Sequence, residues 1–436
     1  MRLPVLFAAM LLNLTAYAGS DPPPAGALPS CPQASSSIEV STSPDVAGMN
    51  VGTNQVLSGA ELDALSELGV GWSRITVRWS DVQRTSTGTP DWAGLDANVK
   101  ALKSRGINVL ATVNSTPKWA FAAGTLANCK RVGRPALKPE ALGGTEQGCI
   151  DLQVCLASPS CSGGPQIPQT RFWKTFVREL VDRYNGFTED PLNPGQTLPR
   201  IDAFEIWNEP DAGREKFNGS LRQYHDLVLA PAVEKVRLES ANQGAVLVGG
   251  ALAAGDYHSP DPATLSAAVS VALQDALVGS AAQAVDVDAV SMHSYKFPQN
   301  TLAVGVAFRQ TMLSLYGGVS KPLWLTEYGK DSSTGCSPVD ATCAEADQYC
   351  MYRDFQGRNF GPQAVPVFDK AFWYALSDFM TPQATVSQGF GVLGECTVCA
   401  SPCNYEFFTK PVFSAMQQVL GKTPSPARTV FGVPPQ

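Results

Sequence analysis

Hydrophobic positions along the chain follow two alternating periods. Short apolar runs rich in β-branched and aromatic residues are separated by longer stretches whose apolar residues recur every three or four positions. The short runs predict strands at Val46 to Asn54, Gly71 to Trp79, Ile107 to Asn114, Phe204 to Asp211, Ala245 to Gly250, Val287 to Tyr295, Pro322 to Gly329 and Ala371 to Asp378. Helical spacing fills the intervals. Ser58-Gly59-Ala60-Glu61 has capping-box spacing and opens a helix carrying Leu62, Leu65 and Leu68. Further helices are predicted through Leu95, Val99 and Leu102, then over Phe172 to Tyr184, Leu221 to Glu239, Asp261 to Val278, Val304 to Leu315, Ala344 to Phe355 and Pro411 to Leu420. Strands interleaved one for one with helices predict an α/β chain folded as a (β/α)8 TIM barrel. A doubly wound open sheet is the alternative. The pattern places one barrel domain at 46–422, with a C-terminal tail at 423–436 and no β-rich region left for a second domain.

Two stretches break the alternation. From Ser115 to about Gln169 there is neither period, and Cys129, Cys149, Cys155 and Cys161 fall there. So long an irregular loop is expected to be a functional insertion stapled by disulfides. At the N-terminus, Arg2 precedes an apolar run from Leu3 to Leu14, and Ala16-Tyr17-Ala18 has the form of a cleavage site. Residues 1–18 read as a secretory signal peptide and 19–45 as a flexible leader, which predicts a secreted protein, extracellular or periplasmic.

Export changes the reading of the cysteines. In an oxidising compartment the 11 cysteines imply disulfides, and their odd number leaves at least one unpaired in a monomer. Cys336, Cys343 and Cys350 follow strand seven, and Cys396, Cys399 and Cys403 follow strand eight, so staples are expected on the loops of one barrel face. Cys31 stands alone. Cys396-x-x-Cys399 lacks a second such pair, and the chain has only three histidines, so no metal or other cofactor is expected. A net charge of −7 gives no sign of a nucleic-acid or membrane partner, and no later stretch reaches the roughly 20 apolar residues that span a bilayer.

Candidate chemistry lies at the strand ends. Phe204-Glu205-Ile206-Trp207-Asn208-Glu209-Pro210-Asp211 reads as a buried strand stopping at a carboxylate, because Pro210 cannot extend the ladder. Strand seven also ends in a glutamate, with Leu323, Leu325 and Glu327 on one parity. One strand-end glutamate is most simply a solvated or salt-bridged residue. Two facing each other across a narrow barrel mouth can cleave a glycosidic bond. Arg74 on strand two is a candidate positive neighbour, and Glu205, on the inward parity, a buried carboxylate that orients it. No Gly-x-Ser-x-Gly or His-Glu-x-x-His spacing suggests a serine or metal-dependent hydrolase.

Together, Trp72-x-Arg74 with Trp79, Trp207-Asn208-Glu209-Pro210-Asp211, His293-x-Tyr295, Thr326-Glu327 and Trp373-Tyr374 resemble the clan A retaining glycoside hydrolases. The similarity is greatest to family 39 and related bacterial exopolysaccharide hydrolases. It implies a glycosidase acting on a polysaccharide or oligosaccharide, with Glu209 as acid/base and Glu327 as nucleophile. It further implies Arg74 and Tyr295 beside the nucleophile, His293 next to Tyr295, Asn208 on the sugar 2-hydroxyl and Trp373 as a stacking platform. Trp119 and Tyr328 are additional aromatic candidates. The family's xylosidases carry a β-sandwich for which this chain has no room. A monomer is expected, and a catalytically inactive carbohydrate-binding barrel is the alternative function.

Overall fold

The computed structural model describes residues 42–53, 56–121, 166–213, 216–239, 244–254, 257, 261–331, 341–377, 379–380, 386–388, 391–395, 405–424 and 429–432. The expected signal peptide, nearly all of the leader and most of the cysteine-rich loop lie outside these residues. Eight parallel strands close into a barrel in sequence order. They are β1 (Ala47–Thr53), β2 (Trp72–Arg78), β3 (Asn108–Asn114), β4 (Ala203–Ile206), β5 (Val246–Ala253), β6 (Ala289–Ser294), β7 (Leu323–Tyr328) and β8 (Lys370–Trp373). The helices are α1 (Gly59–Leu68), α2 (Ala93–Ser104), α3 (Thr170–Arg183), α4, α5 (Pro262–Leu277), α6 (Pro298–Leu315), α7 (Ala341–Phe360) and α8 (Pro411–Val419). Helix α4 runs from Leu221–Tyr224 through a π-helical turn, His225–Leu229, into Ala230–Leu238. Among the described residues, no helix is long and apolar enough to cross a membrane.

Local chemistry accounts for these elements. Ser58 and Glu61 form the expected capping box, each side chain bonding the other's backbone N–H, and Gly69 ends α1 at φ 77°. Such a left-handed residue suits glycine, which has no Cβ to clash. Helix α3 buries Trp173, Phe176, Val177, Leu180 and Val181 along one face. The barrel floor is a layer of Trp72, Leu110, Ala203, Val248, Ala289, Trp324 and Phe372. Strand β1 enters this layer at Gly48, between Trp72 and Phe372 in register. A Cβ at Gly48 would lie 2.2 Å from the Phe372 ring, so the absent side chain makes room for the aromatic one.

The strand ends differ from the sequence expectation at the C-terminal face of the barrel. Strand β4 stops at Ile206, short of Glu209, because Trp207 leaves the β region at φ 73°. Strand β5 continues to Ala253 through a bulge at Gly250 (φ 105°) and Ala251 (φ 44°). Strand β8 ends at Trp373 and is followed by a cis peptide between Tyr374 and Ala375. Beyond the barrel lie small antiparallel sheets that the hydrophobic pattern does not predict. β9 (Phe379–Met380) pairs with β10 (Val386–Gln388), while β12 (Tyr405–Thr409) pairs with β11 (Leu393–Glu395) and β13 (Thr429–Gly432). These strands are too short to show alternation, and β13 falls in the segment expected as a tail. Cys350 on α7 is disulfide-bonded; the side chains of the other cysteines lie outside the described residues.

The floor layer makes a prediction. Phe372 is fully buried, so Phe372→Ala should lower unfolding free energy by about 3–5 kcal/mol. Urea denaturation measures it; a wild-type midpoint would mean the layer is not close-packed.

Candidate active site

Above the floor, inward-facing positions of several strands supply polar groups instead of apolar ones. Arg74 (β2) is 4% exposed and Glu205 (β4) fully buried. Arg74 Nε and Nη2 lie 2.8 and 2.7 Å from Glu205 Oε2. Thr112 (β3) donates to the same oxygen and Ser291 (β6) to Oε1, both at 2.7 Å. A buried ion pair is tolerable only when its remaining donors and acceptors are satisfied, and these hydroxyls do that. Burial opposes ionisation of Glu205, yet the Arg74 charge and these hydrogen bonds hold its carboxyl below the ordinary value. Arg74 loses stability as a cation through burial but regains more from Glu205 and Glu327, so it stays charged.

The rest of the guanidinium points toward the mouth. Nη1 donates to Glu327 Oε1 (2.7 Å) and to Asn50 Oδ1 (2.9 Å), and Nη2 to Asn208 Oδ1 (2.7 Å). Asn50 on β1 donates in turn to the carbonyls of Thr326 and Trp373. One planar cation thereby fixes the ends of β1, β4 and β7 relative to one another.

Glu209 stands on a tight turn after β4, with φ 73° at Trp207 and φ 48° at Glu209 itself. Left-handed backbone at non-glycine residues costs of order 1–3 kcal/mol each and persists where the surroundings over-determine it. Here the Trp207 N–H bonds Val113 O, the Glu209 N–H bonds Ala251 O on the β5 bulge, and the Trp207 indole bonds Lys216 O. Two residues on, Asp211 accepts from Ala253 N (2.8 Å) and from the Tyr257 hydroxyl (2.7 Å). Burial raises the Asp211 carboxyl above its ordinary value despite these donors.

The Glu209 carboxylate has two cationic partners: His293 Nδ1 lies 3.0 Å from Oε1 and Lys216 Nζ 2.7 Å from Oε2. Burial pushes its pKa up, but the His293 hydrogen bond and the charges of His293 and Lys216 outweigh that and hold it below the usual carboxylate range. His293 moves the opposite way. Burial disfavours its charge, but Glu327 and Glu209 together raise it above its ordinary value. Both directions favour an ion pair between the Glu209 carboxylate and the His293 imidazolium.

Glu327, at the end of β7, receives Arg74 on Oε1 and the Tyr295 hydroxyl on Oε2 at 2.5 Å. His293 Nδ1 is 3.5 Å from Oε2. An oxygen of Glu209, an oxygen of Glu327 and a His293 ring nitrogen all lie within 4.8 Å of one another. The trio could converge on a metal ion, but Arg74 and Lys216 already neutralise the two carboxylates. That suits an organic ligand acquiring partial positive charge at one atom better than a dication.

Of the residues singled out in the sequence, Glu209, Glu327, Arg74, Asn208, His293 and Tyr295 converge here, with Glu205 beneath Arg74. The aromatic candidates do not. Trp373 is 1% exposed and packs edge-on against Tyr328 and Tyr352, so it presents no stacking face. Tyr328 is equally buried. Trp119 is pinned against Trp79 and Phe172, its indole bonded to Gln83 O. Among the described residues, Tyr295, 37% exposed and bonded to Glu327, presents an aromatic ring at the mouth, edge-on to the partly exposed Tyr374. Asn50, Thr112, Ser291 and Lys216 were not anticipated. The inward parity of Asn50, Thr112 and Ser291 on their strands was the available signal; Lys216 had none.

No family model matches the chain, and no curated protein matches it in sequence. Solved structures do match in fold. A family 39 glycoside hydrolase from Bacteroides cellulosilyticus is similar at TM-score 0.52 and 16% identity, over 88% of this chain and 64% of that one. A monomeric β-xylosidase from Caulobacter crescentus is similar at TM-score 0.54 and 15% identity, over 91% of this chain and 71% of that one. The chain thus spans less than two thirds of the first of these structures. At such identities the likeness shows a shared barrel fold.

The buried pair is testable by its pH dependence. Glu205→Gln leaves Arg74 short of its main counter-charge and should cost roughly 3–5 kcal/mol at neutral pH. Because the folded-state pKa of Glu205 is depressed from 4.5, its contribution is present above that value and lost as pH falls through the depressed one. The variant's deficit in denaturation experiments should therefore shrink at strongly acidic pH. A deficit independent of pH would contradict the ionised pair.

Proposed function

We propose that this chain is a secreted retaining glycoside hydrolase that cleaves O-glycosidic bonds of a polysaccharide or oligosaccharide by double displacement. The observation carrying the proposal is the approach of the Glu209 and Glu327 carboxylates, with one oxygen of each within 4.8 Å. Carboxyl groups about 5–5.5 Å apart leave no space for an intervening water and belong to retaining chemistry; inverting pairs stand about 6.5–9.5 Å apart. The fold likeness to glycoside hydrolases supports the same reading. Secretion is supported by the apolar run and cleavage-like site within residues 1–18.

In the first step a Glu327 oxygen attacks the anomeric carbon as the bond to the leaving oxygen breaks. Protonated Glu209 gives that oxygen its proton. In the second step the Glu209 carboxylate takes a proton from water, whose oxygen attacks the same carbon and expels Glu327. Arg74 and Tyr295 hold Glu327 in position and accept no proton. His293, 3.0 Å from Glu209, is the reserve from which Glu209 is protonated before the first step. Asn208, held by Arg74, contacts the 2-hydroxyl, where a hydrogen bond strengthens as positive charge develops at the anomeric carbon.

A polysaccharide and aryl-glycoside panel tests this. Glu327→Ala should abolish turnover on every substrate. Glu209→Gln should lose about 10²–10⁴-fold on substrates with poor leaving groups and far less on activated aryl glycosides, because general-acid help matters least there. Wild-type turnover by Glu327→Ala would refute the mechanism. Binding by wild type without any turnover would favour the inactive carbohydrate-binding barrel.

A further inference from the structure

Lys216 presents a difficulty for the chemistry just described. A general acid must hold a proton, yet an ammonium stands 2.7 Å from Glu209 Oε2 and favours the ionised form. The backbone carrying this lysine is fixed. Its carbonyl accepts the Trp207 indole N–H, its own N–H bonds Gly213 O, and the neighbouring Phe217 ring packs against Trp207 and Tyr224. Lys216 is therefore held against the turn that carries Glu209. Its side chain is 43% exposed, whereas that of Glu209 is 11% exposed, so the ammonium sits on the solvent side of the pair. The flexible four-carbon stem can turn that charge toward a ligand without moving the backbone.

Which part of a ligand it meets follows from the roles of the two carboxylates. Glu327 faces the anomeric carbon, and Glu209 faces the oxygen that leaves. His293 occupies Oε1 of Glu209, which leaves the Oε2 side, where Lys216 stands, for the leaving oxygen and the sugar attached to it. A hydroxyl on that sugar is a weak rival to a carboxylate for an ammonium. A carboxylate on it offers a charge-assisted hydrogen bond of the same kind as the one Lys216 already makes. Exchange of one partner for the other is then close to balanced, and Glu209 is left with His293, the donor of its proton.

We propose that Lys216 is a specificity-determining residue that recognises a carboxylate on the leaving-group sugar, so that the substrate is an acidic glycan containing uronic acid. The inference rests on the hydrolase reading above. Binding of the acidic sugar draws Lys216 off Glu209, and Glu209 takes the His293 proton. No atom is gained or lost; one ion pair replaces another and one proton passes along the 3.0 Å hydrogen bond from His293 Nδ1 to Glu209 Oε1. A neutral sugar leaves Lys216 on Glu209 and the acid ionised, so the device selects on rate as well as on binding.

The test uses acidic polysaccharides before and after carboxyl reduction, which turns each uronic acid into its neutral sugar and keeps the linkage. New reducing ends are the readout. For wild type, reduction should lower kcat/KM by about tenfold or more on the polymers it cuts. Lys216→Met should cut the native polymer more slowly and show no preference between the two forms. Lys216→Arg should restore the preference, since it keeps the charge. Neutral forms cut as fast as their acidic parents by wild type, or a preference that survives in Lys216→Met, would overturn the inference. Glu327→Ala separates the two readings. If it abolishes cleavage while neutral polymers are favoured, the hydrolase reading stands and this one falls. If no polymer is cut by either protein, the hydrolase reading fails and this inference with it.

Discussion

The candidate site depends on one buried guanidinium. Arg74 can be taken out of water only because Glu205 matches its charge and two hydroxyls complete the carboxylate's hydrogen bonds. Once that pair is fixed, the remaining N–H groups must point toward the mouth, and they find Glu327, Asn50 and Asn208. The geometry of one planar group thereby sets the positions of Glu327 and Asn208, the proposed nucleophile and sugar ligand. Floor and mouth follow different rules around the same barrel axis. Below Arg74 the layer is close-packed and apolar; above that layer, Asn50, Thr112, Glu205 and Ser291 from four strands are polar and hydrogen-bonded.

Glu209, the proposed acid/base, is held by a separate device. Glu209 stands on a turn with left-handed backbone at two non-glycine residues, and the β5 bulge presents the carbonyl that its N–H requires. Glu327 thus belongs to a charge network centred on Arg74, whereas Glu209 belongs to a strained turn and pairs with His293 and Lys216. The difference fits their tasks. In the proposed mechanism Glu327 attacks the sugar, while Glu209 gains and loses a proton in each cycle. His293 lies between them and couples the two charges, since both carboxylates raise its affinity for a proton.

Much of this was legible in the residues. The period of the hydrophobic positions predicts every barrel strand; Glu209 and Glu327 stand out because charged residues are conspicuous at the ends of buried runs, and Arg74 because it lies within one. Glu205 was legible as a partner for Arg74 from strand parity alone. Other features depend on tertiary contacts. Nothing in a tryptophan announces φ 73°, so β4 reads as reaching Glu209 when it ends at Ile206. Trp373 reads as a platform because an aromatic at a strand end looks the same whether it faces a sugar or, as here, Tyr328 and Tyr352. Lys216 reads as an ordinary loop lysine until the Trp207 indole brings its backbone back to Glu209.

The central claim is that Glu327 becomes covalently bonded to the sugar. Trapping with activated 2-fluoro glycosides of the common pyranose configurations, followed by peptide mapping, tests it most directly, because the fluorine slows release of the intermediate. The label is expected on Glu327, within the peptide containing Leu323–Tyr328. A label on Glu209, Glu205 or any other carboxylate would contradict the account.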